Sequence, residues 1–82
     1  MSGTGAAATF VDTEVPNGTI DGDNLAFTVA VAPLPTASLK LYKNGILLNQ
    51  GGDYILSGSN ISFVNAGVTP QPGDALIAAY RH

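Results

Sequence analysis

Few residues in this chain could do chemistry, and they lie in a handful of places. Asp21-Gly22-Asp23-Asn24 sets two carboxylates at alternate positions, a spacing that suits hard oxygen ligands for calcium. A calcium loop needs six to eight oxygens and usually closes on a bidentate carboxylate, yet no Glu follows Glu14. The same residues also suit a polar turn, with Asp and Asn side chains bonding nearby backbone amides and Gly22 easing the bend. That is the reading adopted. Asp12 and Glu14, two apart on one strand face, have the form of an acid and base pair for hydrolysis. No Trp, no aromatic cluster and no pocket-forming insertion accompanies them, so a solvated strand face accounts for them better. His82 has no nearby Ser or Cys to activate, and the glycines of "NQGGD" lack the Lys and the helix of a phosphate loop. These residues call for no catalyst, no metal and no cofactor.

Tyr42, Tyr54 and Tyr80 admit two readings. Amphipathic aromatics line glycan-binding patches, and they equally serve as cross-strand packing residues in a small β domain. Tyr42 and Tyr54 are the candidate ligand contacts under the first reading.

Composition narrows the classes. The 82 residues make one domain, and a domain of this size buries only about 60 to 65% of its unfolded surface. With no Cys and one His, neither disulfides nor a zinc cage can supply extra support, which leaves self-association. Charged residues are 11% of the chain and hydrophobic ones 45%, which points to a folded domain with broad uncharged surfaces suited to contact with other protein. Three basic residues against six acidic ones give a net charge of -3, the wrong field for nucleic acid or an anionic membrane. No apolar run approaches the roughly 20 residues of a membrane-spanning helix, and the N-terminus does not read as a secretion signal.

The elements that must position these residues are short strands. Residues 1–9, "MSGTGAAAT", read as a flexible lead-in or linker, and 10–82 as a single domain. "FVDTEV" alternates Val11, Thr13 and Val15 against Phe10, Asp12 and Glu14. "LAFTVAV", residues 25–31, alternates Leu25, Phe27, Val29 and Val31 against smaller residues, and Pro33 and Pro35 then break the ladder. "SLKLYK" and "ILL" flank Asn44-Gly45, the signature of a type I′ hairpin. Gly52 and Asp53 step into "DYILS", Gly58 lies in the turn to "ISFV", and Gly73-Asp74 opens the last run, "DALIAAYR". The sum is an all-β fold: a small antiparallel β-sandwich of about seven short strands, immunoglobulin-like in size and without a helix.

That last run is apolar on both faces. Ala75, Ile77 and Ala79 alternate with Leu76, Ala78 and Tyr80, so both sides of the strand call for cover. The second cover is either the chain's own sandwich or another subunit. Leu76, Ile77 and Tyr80 are the candidate interface residues, and whichever of Leu76 and Ile77 faces inward, the other is expected to face a neighbour.

The ordered series Tyr42-x-Asn44-Gly45, Gly52-Asp53-Tyr54, Ile61-x-Phe63 and Pro70-x-x-Gly73-Asp74-x-Leu76 resembles the small β-sandwich modules of tailed-phage virion proteins, tail fibres and related appendages above all. "VPNGTIDGDNLAFTV" is similar to that family's opening strand pair, so the likeness runs over about residues 10 to 80. "NAGVTPQPG" is longer than the family's usual link after Ile-x-Phe. The resemblance implies a structural part of a virion, assembled in the host cytoplasm, packing against copies of itself, with a trimer favoured, or against other virion proteins. The alternative reading is a binding module that recognises a host-surface glycan or receptor through its loops, with the tyrosines as contacts.

Overall fold

The computed structural model describes residues 9–82; of the expected lead-in at residues 1–9, all but Thr9 lies outside them. Seven strands follow in chain order: β1 (Phe10–Glu14), β2 (Ala26–Thr28), β3 (Lys40–Lys43), β4 (Ile46–Leu47), β5 (Tyr54–Ser57), β6 (Asn60–Phe63) and β7 (Leu76–Arg81). Single 3-10 turns stand at Thr36–Ser38 and Ala66–Val68. All pairings between strands are antiparallel, in a four-stranded sheet of order β1-β7-β3-β4 and a three-stranded sheet of order β2-β6-β5. The fold is the expected all-β sandwich.

Between the sheets lies one core. Phe27, Tyr54, Ile61 and Phe63 enter it from the three-stranded side and Leu41 and Leu76 from the other. Phe27 meets Phe63 edge to face at 5.6 Å between ring centres, a geometry worth about 0.5–1.5 kcal/mol beyond area burial. The chain crosses between sheets through residues 29–39, where Leu34 N donates to Arg81 O at 2.7 Å and the Leu34-Pro35 bond is cis.

Three expectations are corrected in detail. β2 spans only three of residues 25–31; beyond it a side chain and not a strand serves the backbone, as Glu14 Oε2 accepts from Ala30 N at 2.7 Å. Thr9 is not part of a lead-in, for it exchanges two backbone hydrogen bonds with His82 at 3.1 and 2.9 Å. Most consequentially, Asp12 and Glu14 do not share a strand face. Val11 lies opposite Tyr80 and Glu14 opposite Ala78, so Asp12 and Thr13 together stand against Ala79 alone. Such a bulge reverses the side-chain alternation. It leaves Asp12 and Thr13 exposed and turns Glu14 inward.

Two glycines carry distinct constraints. Asn44 and Gly45 have φ of 54° and 82°, the paired positive values of a type I′ turn, and nothing stands near Gly45 for a side chain to strike. Gly18, at φ 147°, lies against the Phe27 ring, and a Cβ there would collide with Phe27 Cδ2. Gly45→Val should therefore lose about 1–2 kcal/mol from backbone strain alone. Gly18→Ala should lose more, about 2–3 kcal/mol, because it strains the backbone and displaces a core aromatic. Urea denaturation of both variants checks the order; equal losses would contradict it.

Candidate functional site

Three of the turn residues singled out by sequence, Asn44, Asp53 and Asp74, join separate segments through their side chains. Asn44, at the tip of the β3–β4 hairpin, donates through Nδ2 to Asp74 Oδ1 at 2.9 Å and accepts through Oδ1 from Ala75 N at 2.9 Å. Its own N–H donates to Ala75 O, and Lys43 Nζ stands 3.9 Å from Asp74 Oδ2. Asp74 thus ties the hairpin to the entry of β7, while Gly73, at φ 94°, turns the chain into it. Asp53 does the same on the other sheet: it accepts from Asn49 N at 2.9 Å and from Asn65 Nδ2 at 2.9 Å, linking the start of β5 to the end of β6. Gly52 lies in that turn, though the positive φ falls on Gly51; Gly58 supplies one at 60° between β5 and β6.

Asp21 closes a local turn. Its Oδ1 accepts from Asp23 N at 2.9 Å and from Asn24 N at 2.8 Å, while Asn24 Nδ2 donates to Thr19 O and Ala26 O. One carboxylate oxygen of Asp21 thus holds the backbone of its own loop. Among the described residues, no three acidic, His or Cys side chains gather at one point.

The three tyrosines separate. Tyr54 is 1% exposed, a core residue with no surface to offer a glycan, and burial, then the nearby Asp53 charge, raises its phenol pKa. Tyr80 is also a core residue. Its hydroxyl donates to Glu14 Oε1, the carboxylate that the bulge turned inward, and accepts from Val31 N at 3.4 Å. Burial, then the bond to Glu14, raises the Tyr80 pKa. Glu14 joins β1, β7 and the chain leaving β2, a polar tie between the two sheets that the acid and base reading of the sequence did not foresee. His82 packs by its ring against Tyr80 at 6.1 Å between centroids. Tyr42 alone of the three reaches the surface, half-buried beside Ile77 and Leu47.

The candidate interface residues divide in the same way. Leu76, 2% exposed, and Tyr80 belong to the core and are withdrawn as contact residues; Ile77 points to the other face. Cross-strand partners lie side by side on one face of a sheet. The outer face of the four-stranded sheet therefore carries Phe10 with Arg81, Lys40 with Ala79, and Ile77 with Tyr42 and Leu47. Phe10 is 65% exposed and Leu47 51%, a large apolar fraction for a face with no covering layer among the described residues. A shallow concavity of about 340 Å³ opens on it, with Phe10, Asp12, Ser38, Lys40, Ala79 and Arg81 among its walls. This face is the candidate functional site.

Comparison with protein-family models, with curated proteins and with solved structures finds no match.

The carboxylates at the joints make stability acid-sensitive. Backbone N–H groups first, of Asp23, Asn49 and Gln71 respectively, hold Asp21, Asp53 and Asp74 below the usual carboxylate range, with the Asn65 and Asn44 side chains adding to the last two. A group whose folded pKa is depressed stabilises the fold above its unfolded value, about 3.9, and loses that contribution as pH falls toward the folded value. Melting temperature should hold steady from pH 7 to about 5 and decline below about pH 4. Asp74→Asn should lower it at neutral pH and flatten the acid decline; an unchanged acid limb in that variant would contradict the assignment.

Proposed function

We propose that this chain is a non-enzymatic structural module of a phage or phage-like particle, a tail fibre or other virion appendage, packing against copies of itself or neighbouring virion proteins. The observation that carries the packing half of this reading is the outer face of the four-stranded sheet. β7 is its second strand, paired on both edges, and sends Ile77 and Ala79 out of the sandwich, where they are half-buried among their strand neighbours with no third layer of strands over them among the described residues. Exposed apolar surface of this kind, rimmed by polar residues, marks protein contact. The virion half rests on the ordered motif series from Tyr42 to Leu76, which the fold uses as a hairpin turn, a joint at Asp53 and a joint at Asp74. These joints make a compact, stiff block, the mechanical quality that an assembled appendage needs. Glycan recognition keeps only Tyr42 of its two contacts, since Tyr54 is buried.

Each half has its own test. An antibody against the chain should follow intact particles through a density gradient and label an appendage by electron microscopy; a chain found wholly in the particle-free fraction would remove the virion assignment. Ile77→Asp places an uncompensated charge in the proposed contact, an arrangement costly to desolvate. Light scattering coupled to size exclusion should show an oligomer for the parent and a folded monomer for the variant. A parent that stays monomeric at high concentration would contradict self-packing.

A further inference from the structure

The outer face of the four-stranded sheet has a charge order that names its occupant. The bulge sets Asp12 beside Ala79 on the β1 side, and Lys40 lies opposite Ala79 on the β3 side. Across the strands, the middle row of the face therefore reads Asp12, Ala79, Lys40: a negative charge, a methyl group and a positive charge, each about 5 Å from the next. Neither charge forms an ion pair among the described residues, where Lys43–Asp74 is the pair present.

We propose that this face binds the same face of a second copy about a twofold axis running along β7. This rests on the self-packing reading above and specifies its contact. An axis in that direction, lying in the plane between the two faces, exchanges the β1 flank with the β3 flank. Asp12 of each copy then lies over Lys40 of the other, and the small Ala79 lies over its own counterpart, where the faces approach most closely. The same operation brings each exposed Phe10 over the Ala37 and Ser38 wall of the opposite concavity. Arg81 also lies on β7 and so over its own counterpart at the axis; exposed at the strand end, it is long enough to turn its guanidinium to water. A twofold axis running across the strands through this row would instead stack both Asp12 on Asp12 and Lys40 on Lys40, whereas the axis along β7 brings together only the Arg81 pair at the strand end. A contact of this isologous kind closes at two copies. The geometry thus points to a pair, where the family resemblance implies a trimer.

Charge exchange tests the axis directly. The dimer dissociation constant of the parent is compared with those of Asp12→Lys, Lys40→Asp and the double variant by sedimentation at several concentrations. Each single reversal sets like charges face to face twice per dimer and should weaken association at least about tenfold. The double variant restores opposite charges at both crossings and should return to within about threefold of the parent. All three positions are exposed or lie on the outer face, and circular dichroism checks that each variant folds. Ala79→Arg, at the axis, should give monomer. A parent that associates equally well in every variant, or as a trimer, would overturn the twofold face while leaving self-packing intact. A double variant weaker than either single one would overturn the crossed charges. A monomeric parent would overturn both this contact and self-packing.

Discussion

The period of two in a β-strand is the constraint on which this small domain turns. Successive side chains of β7 must point to opposite faces, yet the strand is apolar from Leu76 through Tyr80, so no single core can satisfy it. Leu76, Ala78 and Tyr80 go inward and build one wall of the sandwich; Ile77 and Ala79 go outward. β7 also carries hydrogen bonds on both edges, to β1 and to β3, so the whole four-stranded sheet is registered from it. The neighbours adapt to that strand. β1 bulges so that Glu14 reaches the Tyr80 hydroxyl, and the hairpin beyond β3 is pinned at Asp74, where the chain enters β7.

A core this thin leaves the loops to secure themselves. Buried or half-buried backbone groups need partners, and here Asn and Asp side chains supply them across long sequence separations. Asn44 Oδ1 accepts from Ala75 N across thirty-one residues, and side-chain pairs add to it, Asn44 with Asp74 across thirty and Asp53 with Asn65 across twelve. The local pattern at Asp21 and Asn24 does the same within one loop, where Asn24 bonds both the N–H and the carbonyl of Ala26. With 11% charged residues, the chain relies on such short side-chain-to-backbone bonds more than on ion pairs.

Legibility follows from how local each determinant is. Asn44-Gly45 was readable because a type I′ turn demands positive φ at both central residues, and few residue types accept it. The strand count was readable because each run is bounded by Gly, Pro or Asn. The bulge in β1 was not, since "FVDTEV" keeps perfect alternation and only pairing with β7 reveals two residues set against one. Reading that run without the bulge placed Glu14 beside Asp12 in water, when it lies against Tyr80. Tyr54 and Tyr80 were ambiguous for a related reason: an aromatic at a strand position declares its burial only once the register is known. The close approach of Gly18 to Phe27 lies between residues nine apart, and nothing in the local sequence signals it. The outer face was half visible, as a strand apolar on both sides; its charge order was not, because Asp12 and Lys40 meet across Ala79 only in the folded sheet.

The core closes the inner face of the four-stranded sheet, and the proposed packing against another chain rests on the outer face, to which Ile77 and Ala79 turn. Amide chemical shifts recorded across a concentration series test it most directly. The account predicts that the signals of Asp12, Lys40, Ile77 and Ala79 move together as concentration rises, while those of Ile55 and Asn60, on the outer side of the three-stranded sheet, stay in place. Spectra that do not change with concentration, or changes centred on Ile55 and Asn60, would contradict it.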